Sequence, residues 1–165
     1  MKPPPIPLDA ITRLTPIYRF TIPESYLDEN GHMNMRWYVA IFDEAGYPFV
    51  AQFGLTADYL SSQHSGGFDL EHHLHFLKEV RLGDSITIYP RLLARSAKRI
   101  HYLMFMVNDT QSAVAATFEC VNSFADLTIR RTAPYPEAIA ARIEAQLVID
   151  SALTWSAPVC GVMSA

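Results

Sequence analysis

Two cysteines are all the chain has, Cys120 and Cys160, far apart and without a C-x-x-C pair. Two reduced thiols are the simplest reading, because a disulfide framework or a zinc site needs more ligands than these. Basic charge is also scarce: 13 Lys and Arg stand against 17 Asp and Glu, for a formal net charge of −4. Nucleic-acid binding leaves a basic footprint, so no nucleic-acid partner is expected. Long apolar runs are missing too. None nears the roughly 18 residues that a membrane-spanning helix needs. The N-terminal MKPPPIPLDAITR lacks the apolar centre of a signal peptide. These absences predict a soluble, cytoplasmic protein with no membrane partner.

Half of the 165 residues are apolar, and nine Phe and eight Tyr are among them. That length fits a single domain over 1–165 with a sizeable core. Four prolines within Met1 to Leu8 predict an extended arm over roughly 1–15, and 150–165 reads as a tail.

Ile17 to Ile22 is β-branched and aromatic and is closed by Pro23, so it reads as a strand. Turn formers fill Glu24 to Asn34. Asn34 is a good N-cap for a helix from Met35 to Phe53. Apolar residues go nearly all the way round that helix, which predicts burial on most faces. Pro48 is expected to kink or shorten it. Thr56 to Ser62 suits a short helix, and Gly66-Gly67 reads as a turn. Four strands follow, at Phe68–Phe76, Asp84–Ala94, Arg99–Val107 and Ser112–Phe124, with tight turns that favour antiparallel pairing. A last helix is expected from Pro136 to about Val148. The outline is α+β: five strands wrapped round one long apolar helix.

The segment Asp28-Glu29-Asn30-Gly31-His32-Met33-Asn34 packs two carboxylates, two carboxamides and an imidazole just before the buried helix. A helix start offers unpaired N–H groups and partial positive charge. A carbonyl held there is polarised, and an acyl-transfer oxyanion is stabilised. A nearby carboxylate can attack that carbonyl or take a proton from water. Asn30 and Asn34 are candidates to orient the water, and His32 to hydrogen-bond the carboxylate or substrate. A polar capping loop with Gly31 at its turn accounts for the same letters.

The pattern Asp28-x-x-Gly31-His32-x-Asn34, then Tyr38 and Asp43-Glu44-Ala45, resembles the hotdog-fold acyl-CoA thioesterases related to 4-hydroxybenzoyl-CoA thioesterase. The spacing of Asp28, Asn30 and His32 is also similar to that of the plant acyl-ACP thioesterases. The resemblance implies a hotdog fold and hydrolysis of an acyl-CoA to a carboxylate and CoA. It implies Asp28 as nucleophile or general base, and backbone N–H groups near Met35 as the oxyanion site. No cofactor is implied, since CoA belongs to the substrate. It further implies a homo-oligomer, at least a dimer, with a tetramer open and the site between subunits. Leu70-Glu71-His72-His73, Leu82-Gly83-Asp84 and Lys98-Arg99-Ile100-His101 look like a bacterial subgroup that includes betainyl-CoA thioesterases. Met35-Arg36-Trp37 departs from that subgroup.

Strand alternation places Glu71, His73 and His75 on one face and Leu70, His72, Leu74 and Phe76 on the other. Glu71 is therefore a candidate to line the acyl pocket or assist Asp28, or else a surface Glu paired with His. His73 and His75 lack a third ligand at evident spacing, so no metal is expected. Arg95, Lys98 and Arg99 cluster at a strand turn and suit the phosphates of CoA. A hydratase, or a non-catalytic acyl-binding or scaffold domain on the same fold, are the alternatives.

Overall fold

The computed structural model describes residues 7–165. Its elements in chain order are α1 (Leu8–Ile11), β1 (Tyr18–Thr21), a 3-10 turn at Glu24–Tyr26, α2 (Met35–Ala51), α3 (Ala57–Ser62), β2 (Ser65–Phe76), β3 (Ser85–Arg95), β4 (Arg99–Asn108), β5 (Ala113–Asp126), β6 (Arg131–Thr132) and α4 (Glu137–Ser151). The sheet is antiparallel with order β1-β3-β4-β5-β2. The two-residue β6 adds to β5 and makes a sixth strand beyond the five expected. This is the hotdog arrangement, α+β, with the sheet curled against α2.

The inner face of the sheet and α2 enclose the main core. Tyr38, Ile41, Phe42, Ala45 and Phe49 recur at helical spacing, and all are buried. Phe42 stacks on Phe118, and Phe49 meets Tyr102 and Phe53. Each large side chain buried this way contributes about 1.5–3 kcal/mol. Burial on most faces is not what a single chain shows. Met35, Val39 and Tyr47 on α2 are exposed.

Pro48 neither shortens nor ends α2, which runs on to Ala51. Its ring costs one backbone hydrogen bond, but Ala45 before it and Phe49 after it are locked in the core. The stop comes at Gly54, whose φ of +94° suits a residue without Cβ. Gly66-Gly67 is not a turn. Both lie extended inside β2, opposite Ala125 and Phe124. Leu127 packs over the first, and the Asn122 amide over the second.

The outer face of the sheet has its own cluster: Tyr89, Leu103, Phe105 and Val107. The two chain ends cover it. Ile11 of α1 is fully buried there, and Trp155 and Ala157 pack against it. The arm and tail expected at 1–15 and 150–165 are thus packing elements over their described residues. The expectation for Met1 to Ile6 lies outside the described residues. Asp150, at the end of α4, is buried. Its Oδ2 accepts from the Leu92 N–H at 2.7 Å and its Oδ1 from Gln146 at 3.0 Å. Leu92 sits at a bulge in the β3–β4 register, which frees its N–H for this bond. Arg91 donates to the Asp150 and Trp155 carbonyls and lies over the Trp155 ring. No helix among the described residues is long and apolar enough to cross a membrane.

Candidate active site

The Asp28 loop is built by short-range hydrogen bonds. The Gly31 N–H donates to the Asp28 carbonyl, and the Asp28 N–H to the His32 carbonyl. Gly31 has φ +77°, which this tight reversal requires. Buried Met33 anchors the loop, with its N–H on the Val80 carbonyl at 2.7 Å. The Asn34 N–H is held by the Tyr26 carbonyl at 2.9 Å. The chain then enters α2, and Asn34 Oδ1 accepts from the Arg36 N–H at 3.2 Å, as an N-cap does. Trp37 N–H donates to the Asn34 carbonyl. The Met35 N–H is left with no acceptor among the described residues.

Asp28, His32, Asn34, Met35, Tyr38, Phe76 and Lys78 line a cleft of about 560 Å³. Within it, Asp28 Oδ1 accepts the Asn30 N–H at 2.8 Å. Asp28 Oδ2 lies 3.8 Å from His32 Nδ1, too far for a hydrogen bond but within ion-pair reach. That oxygen is the one available to a reacting group. Tyr38 closes the inner wall edge-on to Phe76, and burial pushes its hydroxyl pKa up.

Asn30 contributes through its backbone; its side chain is exposed and outside the cleft. Asn34 acts as the cap, which occupies its side-chain oxygen. Met35 contributes an N–H, while its side chain is exposed. Glu71 is not brought to Asp28 in this chain. It pairs with Val121, while its neighbour His72 pairs with buried Cys120 on the helix side. Alternation therefore puts Glu71 on the outer face. Arg95 is already engaged, donating to the Ala140 carbonyl at 2.9 Å and to Glu144 at 3.3 Å. Lys98 and Arg99 are exposed on the β3–β4 turn.

A second cavity, of about 540 Å³, opens between α2 and the other end of β2. Val39, Tyr47, Tyr102, Phe118 and Tyr135 are among its walls. A polar network crosses it. Asp69 Oδ1 accepts from Asn122 Nδ2 at 2.6 Å, and Asp69 Oδ2 lies 3.0 Å from His72 Nε2. A bulge at Leu70 makes this possible. It shifts the alternation so that Asp69, not Leu70, shares the face of His72. The letters alone gave no sign of Asp69 and Asn122, because a bulge leaves no mark in a polar/apolar pattern.

Two groups of side chains have metal-ligand chemistry: Asp69 with His72 and Cys120, and His73 with Glu119 and Cys160. The further donors near His73 thus come from β5 (Glu119) and from the C-terminal tail (Cys160). Both oxygens of buried Glu119 are occupied, by His101 Nε2 at 2.8 Å and by the Cys160 N–H at 2.7 Å. That arrangement fastens the tail to the sheet.

The family described as the thioesterase-like superfamily matches residues 23–143, from just before the Asp28 loop into α4. A betainyl-CoA thioesterase of Pseudomonas aeruginosa is 29% identical over 130 residues, covering 78% of this chain and 80% of that protein. An L-carnitine dehydrogenase/betainyl-CoA thioesterase of Agrobacterium fabrum is 32% identical over 114 residues, or 69% of this chain. The match takes in only 23% of that longer protein. Among solved structures, SAV2348 of Staphylococcus aureus, determined in complex with CoA, superposes with a TM-score of 0.82 at 22% identity. That match covers 92% of this chain and 96% of the other.

Proposed function

Because the chain belongs to the thioesterase-like superfamily and is a hydrolase acting on thioester bonds, we propose that it hydrolyses an acyl-CoA at the Asp28 cleft. The observation that carries this reading is the shared cleft of Asp28 and the free Met35 N–H at the start of α2. The thioester oxygen sits on that N–H, where the helix dipole favours the developing negative charge. Asp28 Oδ2 either takes the proton of a water that attacks the acyl carbon, or attacks that carbon itself to give an anhydride that water then opens. The C–S bond breaks, the acyl carbon leaves as a carboxylate, and the thiolate of CoA takes up the proton. The Asn30 N–H fixes the other Asp28 oxygen. No cofactor takes part. A hydrolase superfamily leaves a non-catalytic acyl-binding role without support.

A second copy completes the site in this reading. Among the described residues the outer edge of β2 pairs with nothing. Phe68, Leu70 and Phe76 are exposed along it, as are Met35, Val39 and Tyr47 on α2. Such an edge and apolar face are costly to leave in water. Antiparallel pairing of two β2 edges about a dyad is isologous and closed. It sets the Phe76 end of one copy, with its Asp28 cleft, beside the Gly66 end of the other, with its cavity. The β3–β4 turn lies at that same end, since Arg99 is opposite Ser123 and Ser123 opposite Phe68. Lys98 and Arg99 of one copy then serve the CoA phosphates bound at the other.

The experiment is thiol release over a panel of short, branched, aromatic and cationic acyl-CoAs. Asp28→Asn is expected to lose about a thousandfold or more in kcat with an unchanged melting curve. Turnover near wild type in that variant would overturn the assignment.

A further inference from the structure

We infer that His73, Glu119 and Cys160 form a site for a divalent ion of the zinc type, which clamps the C-terminal tail onto the outer face of the sheet. The site shares no residue with the Asp28 cleft and takes no part in the hydrolysis.

Three separate elements converge there. Strand register sets Glu119 of β5 directly opposite His73 of β2. On its other side Glu119 stands opposite Leu103, a member of the outer-face cluster, so these side chains point away from α2. Cys160 comes from the tail, and its N–H donates to Glu119 Oε2 at 2.7 Å. The ligand atoms of the three side chains, a nitrogen, an oxygen and a sulfur, all lie within 4.8 Å of one another. Ligands held about 2.0–2.3 Å from a tetrahedral zinc stand about 3.3–3.8 Å apart, so a contraction of about 1 Å closes the set. Imidazole, carboxylate and thiolate together are the donor set that zinc and cobalt take.

Glu119 has need of such an ion. It is 2% exposed, and a carboxylate buried that deeply calls for positive charge beside it. Its contacts are an imidazole, His101 Nε2 at 2.8 Å, and the Cys160 N–H, neither of which carries a permanent charge. Each contact occupies one oxygen and leaves a lone pair on it for a metal. His101 then orients a ligating carboxylate, as outer partners do in metal sites. His73 is exposed, so the ion enters from solvent and a water completes its shell. On binding, the Cys160 thiol gives its proton to water and a sulfur–metal bond replaces the S–H bond. The other group, Asp69 with His72 and Cys120, fits less well. Asp69 Oδ2 and His72 Nε2 are spent on each other, and Cys120 is fully buried.

Cobalt and zinc binding to the whole chain, first stripped of metal with a chelator, tests this. The wild-type protein is expected to take up one Co2+ with a thiolate-to-cobalt charge-transfer band, and Zn2+ should displace it. Free zinc at a hundredfold above its dissociation constant should raise the melting temperature by about 5 °C or more. Cys160→Ser should abolish the band and weaken zinc by about a hundredfold, and His73→Ala should weaken it to a similar extent. His73 is exposed and Cys160 partly so, and the Cys160 N–H survives the serine change, so both variants should fold without metal. Cys120→Ala should keep the band. No band in the wild type, or a band that survives in Cys160→Ser, overturns the inference. A band lost in Cys120→Ala but kept in Cys160→Ser overturns it too, and moves the ion to the Asp69 group.

Discussion

At the Phe76 end of β2 the chain places a carboxylate and a free backbone N–H in a cleft of about 560 Å³. At the Gly66 end it places an aromatic cavity of about 540 Å³ with a carboxylate held by Asn122 and His72. Both ends lie on the same face of one strand. Under the proposed function, the reacting carboxylate and the aromatic cavity are separate within one copy. Two copies paired along β2, as proposed, would unite them twice. On that proposal, a site incomplete in one chain is completed by symmetry, with no added sequence.

Subunit mixing breaks this comparison most sharply. Asp28→Asn removes the reacting carboxylate, and Gly67→Leu fills the cavity. Each homodimer is expected to be inactive. Their mixed dimer keeps one site made from an intact Asp28 and an intact cavity. Random pairing of equal amounts should restore about a quarter of the wild-type rate. Thiol release after co-refolding the two variants measures it. Absence of any recovery would place the reacting group and the cavity in one copy and refute the shared site.

The two ends also differed in how far the sequence disclosed them. Asp28, Gly31, His32 and Asn34 lie within seven positions, and their bonds are local: a turn, an Asx contact and an N-cap. Such chemistry is written in adjacent letters, and so was the order of one helix and four long strands. The cavity depends on partners 53 positions apart, Asp69 and Asn122, joined by strand register across a bulge. No periodicity predicts that. The same cause misplaced Gly66-Gly67 as a turn and hid the role of Arg95, whose acceptors lie 45 and 49 positions away on α4. It also hid the chain ends, whose Ile11 and Trp155 look like loose apolar residues until the outer face of the sheet exists to receive them.

Arg95 and its neighbours give a smaller test. Lys98→Ala with Arg99→Ala is expected to raise KM for acyl-CoA by about tenfold and leave kcat nearly unchanged, as loss of uniform phosphate binding does. KM for the same acyl group on a truncated, phosphate-free thioester should not move. Arg95→Ala should instead lower the melting temperature, because it unfastens α4, and leave KM alone. A KM rise in Arg95→Ala equal to that of the double variant would return Arg95 to the substrate site.

The smallest expected effect concerns the Phe76 end, where Asp84 joins the β2–β3 connection to the end of β4. Burial alone would push its carboxyl pKa up. The Arg81 N–H, Asn108 and Gln111 all donate to the Asp84 carboxylate, and together they hold it below the usual range. A carboxyl lowered on folding contributes stability above its unfolded pKa, and that contribution is lost as pH falls through the folded one. Between neutral pH and about pH 4 the contribution is present in full; below that it drains away. Asp84→Asn removes this dependence and leaves an amide that cannot satisfy three donors. The variant should melt lower at neutral pH, and its deficit against wild type should shrink on acidification, by no more than about 4 °C in a domain of this size. Melting curves from pH 7 to pH 3 decide it. A deficit constant across that range would mean that the three hydrogen bonds do not depend on the charge of Asp84.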